Sequence, residues 1–242
     1  MNKMTRLLFG AVLMSSAMVA AAADVAGNVA LVSDYRFRGV SQNNGGFSPA
    51  IQGGFDWSSD LGFYVGTWAS NVNFNQEGAI ETDVYGGYKG KINDDYAYDV
   101  GILYYGYPQD GSEHYAYTEY YTSLSAFGAK VGVNYSPNYF WGSDPFWYWY
   151  ANYSYEVIKN LTVNAHWGYN HWETRQDYDP TQSNNSAGPV GNASYADWSL
   201  GVSTAYLGLT WGLSYVDTNI NQNSCAGNLC DATAVLSISK SL

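Results

Sequence analysis

The 242-residue sequence contains little charge and few of the residues on which most catalytic and metal sites depend. Charged residues make up 13% of the chain, and it has 3 His and 2 Cys. Ordinary soluble domains carry about 25% charged residues, so this chain has little charge with which to cover a water-exposed surface. After residue 23 it also has no apolar run long enough to cross a bilayer as a helix. A bundle of membrane-spanning helices is therefore excluded.

Basic residues are especially scarce, because 10 Lys and Arg stand against 21 Asp and Glu, and the formal net charge is −11 at pH 7. Phosphate backbones are bound by clustered Lys and Arg, so the composition argues against nucleic acid as a partner. The composition instead favours aromatic residues, with 24 Tyr, 9 Trp and 9 Phe. Tyr and Trp are enriched at membrane–water interfaces, which indicates a membrane-facing surface.

The first 23 residues have the features of a secretory signal peptide. Lys3 and Arg6 precede an apolar run from Leu7, and the small residues Ala21, Ala22 and Ala23 end it. We therefore predict cleavage before Asp24, with residues 24–242 forming one exported domain. An uncleaved membrane anchor is the less favoured alternative, because the run is rich in Ala and ends in a good cleavage site.

Strict alternation of apolar and polar residues predicts β-strands throughout the rest of the chain. In LTVNAHWGYN, at 161–170, every second residue from Leu161 is apolar and the residues between them are mostly polar. The same reading predicts about twelve strands, near residues 27–39, 49–58, 62–72, 79–91, 96–107, 114–126, 129–140, 146–157, 161–172, 194–206, 208–217 and 232–242.

The connections between these strands alternate in length. Short turns lie at 59–61, 92–95, 127–128, 158–160 and near 208, and longer polar loops lie at 40–48, 73–78, 108–113, 141–145, 173–193 and 218–231. Short periplasmic turns on one rim and long extracellular loops on the other are typical of outer-membrane barrels. Strands of about ten residues also match the length that a tilted strand needs to cross a bilayer.

A soluble barrel has the same alternation with the faces reversed, but it typically closes with about eight strands. Aromatic residues lie near the ends of the predicted apolar faces, where two interfacial girdles belong: Trp57, Trp147, Trp149, Trp167, Tyr169 and Tyr206. We therefore predict a transmembrane antiparallel up-and-down β-barrel of about 12 strands in the bacterial outer membrane. Its expected partners are the lipid bilayer with its lipopolysaccharide, the barrel-insertion machinery and a small-molecule solute.

Three stretches resemble a known family. LVSDYRFRGVSQ at 31–42, SPAIQGGFDWSSDLGFYVGTWASNVNF at 48–74 and ETDVYGGYKGKI at 81–92 are similar to the TorF-like porins of proteobacteria, and the similarity extends over the whole mature chain. The resemblance implies an outer-membrane barrel that acts as a porin. The family has no established substrate or catalytic residues, so no site residue can be transferred from it.

If the apolar faces point outward, a set of charged residues points into the lumen. Acidic residues outnumber basic ones in this set, and such a surplus favours cations or neutral polar solutes over anions. Some of these charges are expected to pair with one another to brace the wall. The predicted lumen residues are Asp34, Arg36, Arg38, Gln52, Asp56, Glu81, Asp83, Lys89, Asp99, Glu119, Lys130, Glu156 and Asp197. Inward-pointing tyrosines, namely Tyr85, Tyr105, Tyr115, Tyr117, Tyr121, Tyr148 and Tyr150, predict a narrow lumen.

Two loops have features of their own. Cys225 and Cys230 lie in a polar loop of an exported chain, so we predict a disulfide; a metal site would need further ligands, and no His is near. The longest loop, 173–193, is a candidate to fold inward as a constriction, and its Asp177 and Asp179 are weak candidates for calcium binding. We predict no cofactor and no resident metal.

The sequence leaves three functional classes open. The first is a porin for small polar or cationic solutes, and the second is a non-conducting structural or adhesive barrel. The third and least favoured is an outer-membrane hydrolase, which would need a nucleophile beside a base. The three His are His114, His166 and His171, and we interpret them as polar residues of the rim and lumen, because no Gly-x-Ser-x-Gly or His-Glu-x-x-His motif accompanies them.

Overall fold

The computed structural model describes residues 24–74, 80–108, 115–140, 145–173, 194–221, 225 and 227–242. Several predictions fall outside these residues: the signal peptide at 1–23, His114, and the loop 174–193 with Asp177 and Asp179. Within the described residues, no helix is long and apolar enough to cross a membrane.

The described residues form fourteen β-strands. In chain order these are β1 (Asp24–Val32), β2 (Arg36–Phe37), β3 (Val40–Ser41), β4 (Ala50–Ser58), β5 (Phe63–Asn71), β6 (Ile80–Lys91), β7 (Tyr96–Gly106), β8 (Tyr117–Ala126), β9 (Ala129–Ser136), β10 (Phe146–Ile158), β11 (Leu161–Trp172), β12 (Ser194–Tyr206), β13 (Leu209–Thr218) and β14 (Thr233–Ser241).

Twelve of these strands, β1 and β4–β14, close into one antiparallel barrel in which each strand pairs with its neighbours along the chain. Closure comes from the pairing of β1 with β14, where Val32 lies opposite Ser237 and Asn28 lies opposite Ser241. The closed ring leaves no unpaired strand edge, which is what a sheet in a bilayer requires. The prediction of a barrel of about twelve up-and-down strands is confirmed.

The two faces of the wall differ as the alternation predicts. Large apolar side chains such as Val29, Val84 and Leu200 are exposed on the outer face. The predicted girdle residues also lie on this face: Trp57, Trp149, Trp167, Tyr169 and Tyr206 are exposed, and Trp147 stacks on Trp149 with ring centroids 5.8 Å apart. An apolar outer wall is stable in lipid and would be unfavourable in water.

One rim of the barrel carries short turns and the other carries the longer connections. The turns Phe127-Gly128 and Leu207-Gly208 both have positive φ at each residue, as a type I′ hairpin requires. Glycine at the second position meets this requirement without steric cost. We call the two ends of the barrel the short-turn rim and the long-loop rim.

Tyrosine rings on the inner wall lie against glycines of neighbouring strands. A Cβ atom built on Gly101 would lie 2.4 Å from Cζ of Tyr121, and one built on Gly168 would lie 2.6 Å from Cζ of Tyr148. Glycine inside a strand is unfavourable unless another group approaches its backbone closely. These inward rings therefore explain the glycines that they cover, and they narrow the lumen.

The first strand differs from the prediction. We predicted a wall strand over 27–39, but β1 ends at Val32, and residues 34–41 leave the wall and are mostly buried inside the barrel. There β2 and β3 form a small hairpin, which we call the lumen hairpin, and Arg36 pairs with Ser41. The prediction that 34–39 belong to the wall is therefore wrong, and so is the placement of Arg36 and Arg38 on it.

Candidate functional site

The lumen hairpin turns at Arg38 and Gly39, which have φ values of 49° and 81°. Its tip touches the inner wall, because a Cβ atom on Gly39 would lie 2.3 Å from Cγ2 of Thr218 and 2.9 Å from Cβ of Asp197. Glycine is thus required at this position for two reasons, the left-handed backbone and the close approach to the wall. The hairpin starts beside β1, its tip lies against β12 and β13, and the Arg38 side chain reaches Glu119 on β8, so the hairpin spans the lumen.

Side chains from three parts of the wall hold the hairpin in place. The guanidinium of Arg38 donates from Nη2 to both carboxylate oxygens of Glu119 on β8, at 2.7 and 2.8 Å. The hydroxyl of Tyr195 on β12 donates to the Arg38 carbonyl at 3.1 Å. At the base, the Tyr35 hydroxyl donates to Glu81 on β6 at 2.8 Å. These contacts fix the hairpin across the long-loop half of the barrel.

Aromatic rings surround the Arg38 guanidinium. Its Cζ lies 4.2 Å from the ring centroid of Tyr148, 4.7 Å from Phe37, 4.8 Å from Phe146 and 5.8 Å from Tyr139. A desolvated cation over an aromatic face gains up to about 2 kcal/mol. Burial opposes the charge of Arg38, but the attraction of Glu119 holds the pKa of Arg38 well above its usual range. We call these four rings, together with Glu119, the Arg38 cage.

A second buried arginine ties the hairpin to the loop before β14. Arg36 donates to Asp34 at 2.6 Å and to the carbonyl oxygens of Leu229 and Asp231 at 2.8 and 3.0 Å. Burial raises the pKa of Asp34, although a hydrogen bond from Ser41 and the charge of Arg36 act in the opposite direction. The loop that supplies these carbonyls also contains the predicted disulfide.

That disulfide is confirmed, since Cys225 and Cys230 are bonded with their Cα atoms 6.0 Å apart. It closes a short loop around Leu229, whose carbonyl accepts from both Arg36 and the Ser41 amide. The disulfide loop and the lumen hairpin therefore form one connected unit on the long-loop side.

Three carboxylates from β6 and β8 lie beside the hairpin. Glu81 accepts hydrogen bonds from Tyr35 and Tyr107, and Glu119 accepts from Asn134 at 2.7 Å in addition to Arg38. Asp83 is 1% exposed, and neither of its carboxylate oxygens has a hydrogen-bond partner among the described residues. A buried carboxylate without partners is unfavourable in its charged form, so Asp83 does not supply a free negative charge to the site.

The short-turn half of the lumen is more open, because its charged side chains are less buried than those near the hairpin. Asp56 accepts from the Tyr85 hydroxyl at 2.5 Å, and Asp99 accepts from the Tyr64 hydroxyl at 2.6 Å. Lys89 lies over the Tyr64 ring at 4.4 Å. The side chains of Asp56, Asp99, Lys89 and Lys130 are all half-buried, so water reaches them. Glu156 lies nearer the rim, where it accepts from the Asn160 amide at 2.8 Å.

His166 lies in the lumen as predicted and belongs to a hydrogen-bonded cluster. Its Nε2 is 2.9 Å from both Asp197 Oδ1 and the Tyr148 hydroxyl, and its Nδ1 is 2.6 Å from Asn152 Oδ1. His171 lies apart from it, on the outer face, stacked on Tyr169 with ring centroids 6.5 Å apart. Among the residues that the structure describes, no group of three or more His, Cys, Asp or Glu side chains has a metal-binding arrangement.

The sequence did not identify the Arg38 cage. Tyr148 and Glu119 were predicted to line the lumen, but Phe37, Tyr139 and Phe146 were not connected with Arg38. One local signal was available: Arg38-Gly39 stands between two short alternating segments, and a two-residue connection ending in Gly is a hairpin signal.

Comparison with known proteins places the chain in a family. A family model described as "Bacterial protein of unknown function (Gcw_chp)" matches residues 16–242. The chain belongs to the Gcw_chp family. A comparison with curated proteins finds no match.

Two solved structures similar to this Gcw_chp protein are those of porins. The KdgM porin aligns with a TM-score of 0.56 at 11% identity, over 90% of this chain and 99% of KdgM. The NanC porin aligns with a TM-score of 0.51 at 14% identity, over 90% of this chain and 98% of NanC. At these identities the similarity establishes the fold, which is that of a porin barrel.

Proposed function

We propose that this chain is an outer-membrane channel for the passive diffusion of small polar or cationic solutes through a narrow, acidic, tyrosine-lined lumen. The observation that carries the proposal is the closed barrel with an apolar outer wall and a polar inner wall. The proposal includes cleavage of residues 1–23, insertion of residues 24–242 among lipid and lipopolysaccharide, and membership of the TorF-like porins. It assigns no enzymatic activity.

The charge of the lumen supports a preference for cations. The inner wall and the lumen hairpin together carry eight acidic side chains, Asp34, Asp56, Glu81, Asp83, Asp99, Glu119, Glu156 and Asp197, against the basic Arg36, Arg38, Lys89 and Lys130. In the long-loop half each arginine is paired with a carboxylate, which leaves more acidic than basic side chains in the rest of the lumen. Surplus negative charge in a narrow passage attracts cations and repels anions.

A related structure shows KdgM with an oligogalacturonate, which is a polyanion. This chain shares its barrel fold with KdgM, but a lumen with more acidic than basic residues would repel a polyanion. We therefore propose that the solute of this chain differs in charge from that of KdgM.

The filled long-loop half of the barrel supports a second candidate function, that of a closed structural or adhesive barrel. The lumen hairpin and the buried rings around it, including Tyr105 and Phe146, fill the long-loop half of the barrel. A barrel that stays closed in this way would be a structural or adhesive protein whose long loops make the contacts. The channel proposal requires solutes to pass beside the hairpin or to move it.

Recordings across planar bilayers in a salt gradient test both candidates. The channel should give discrete current steps with a reversal potential of the sign expected for cations. Replacing Asp56 and Asp99 with Asn should move that potential toward zero, because both side chains are half-exposed in the passage. Asp60→Asn, a single change in the exposed turn 59–62, is the control and should have a smaller effect. An anion-selective potential would refute the selectivity, and absence of current would favour the structural or adhesive barrel.

A further inference from the structure

Most of the Arg38 cage belongs to the wall and its loops rather than to the lumen hairpin. Phe146 and Tyr148 are on β10, Glu119 is on β8, and Tyr139 lies in the connection after β9. Of the four rings, Phe37 alone comes from the hairpin. If the hairpin moved away, three rings and the carboxylate would remain as a formed pocket.

The carboxylate of this pocket is held in position by other residues. Glu119 is 0% exposed, and its Oε2 accepts from Asn134 at 2.7 Å and from the Tyr105 hydroxyl at 3.3 Å. The Tyr105 ring is stacked on Tyr117, with centroids 4.4 Å apart. A fixed carboxylate beside aromatic faces recognises a flat, delocalised cation, because the carboxylate accepts its N–H groups and the rings bind its face.

Arg38 occupies this pocket with an imperfect fit. Its backbone has a φ of 49°, a conformation that non-glycine residues rarely adopt. Its Nη1 is buried and has no hydrogen-bond partner among the described residues. A free guanidinium solute could form the same contacts without these two constraints.

We propose that the Arg38 cage is a recognition site for small guanidinium-bearing cations, and that Arg38 occupies it as an internal competitor. A solute that enters the cage displaces Arg38 and releases the lumen hairpin from Glu119. The opening step rests on the proposed channel function, because the cation that binds in the cage would also be the solute that passes through the barrel.

Calorimetric titration of the purified protein in detergent micelles with arginine amide tests the site. Arg38→Ala should bind arginine amide at least tenfold more tightly than the unmodified protein, because the competitor is removed. Adding Glu119→Gln to Arg38→Ala should weaken binding at least tenfold. Lys159→Ala, which removes the same charge from the exposed turn 158–160, is the matched control and should leave the affinity unchanged. Citrulline amide, which is uncharged at the corresponding group, should not bind at the cage. Equal affinity of Arg38→Ala and the unmodified protein would overturn the proposal.

A second measurement does not depend on the folding of Arg38→Ala. A cysteine introduced at Val40 in the otherwise unmodified hairpin should react with a maleimide at least fivefold faster in the presence of arginine amide, and no faster with citrulline amide. An unchanged rate would overturn the displacement. Binding in a barrel that passes no current would refute the channel and leave the cage standing, whereas current without binding would refute the cage.

Discussion

Replacing Glu119 with glutamine removes the negative charge that faces Arg38 and keeps the size of the side chain. Both partners of this ion pair are buried, at 4% and 0% side-chain exposure. Removing one partner of a buried pair costs about 3–5 kcal/mol, because the other charge is left uncompensated. Glutamine keeps one acceptor oxygen for Arg38, so we expect a loss at the lower end, about 3 kcal/mol of the free energy that holds the hairpin in place. Since about 1.4 kcal/mol is a factor of ten, the released hairpin should become about 100-fold more populated.

Amide hydrogen exchange measures this local opening directly. The relevant amides are Ser41, which donates to Leu229, and Gln42, which donates to Tyr35. Both should exchange about 100-fold faster in Glu119→Gln, while amides in β11 and β12 keep their rates. Glu156→Gln is the control, since Glu156 contacts the turn at Asn160 and not the hairpin. Unchanged exchange in the hairpin, or an equal rise in every strand, would refute the assignment of Glu119 as its anchor.

Two further perturbations separate the hairpin from the wall. Reducing the Cys225–Cys230 bond should destabilise the ordered loop by about 2 kcal/mol. Amide exchange in the hairpin should then become faster, because Arg36 donates to carbonyls in that loop. Equal exchange rates before and after reduction would contradict this link. Gly132→Ala places a methyl 2.5 Å from both Cζ and the hydroxyl oxygen of Tyr150 and should lower the free energy of unfolding by about 1–3 kcal/mol, measured by urea titration in detergent. Gly86→Ala, whose methyl would meet the Tyr64 carbonyl at 3.2 Å, should lose less, and an equal loss would show that the ring contact is unimportant.

The wall was predictable because its determinants are local. A strand between lipid and a polar lumen must alternate, and residues 161–172, 194–206 and 146–157 do so with little interruption. The observed β11 and β12 have the predicted bounds, and β10 ends one residue later, at Ile158. Connection length is equally local, so the two rims followed from the spacing of the strands.

The lumen hairpin was not predictable by the same means. Asp34, Arg36 and Arg38 alternate with aromatic residues as wall residues do, so the pattern continues past Val32 although the wall strand ends there. What distinguishes the hairpin is its partners, and Arg38 and Glu119 are 81 residues apart in the chain. Period-two alternation reports which face a side chain takes, and it contains no information about pairs at that distance.

The most direct test of the account is single-channel recording of the unmodified protein beside a variant in which residues 34–48 are replaced by a short Gly-Ser turn. The account predicts cation-selective current in both, with a larger unitary conductance in the variant, because the hairpin then no longer obstructs the long-loop half of the lumen. A variant that folds as a barrel and passes no current, or passes mainly anions, would contradict the central claim that this lumen is a cation-preferring passage restricted by its own hairpin.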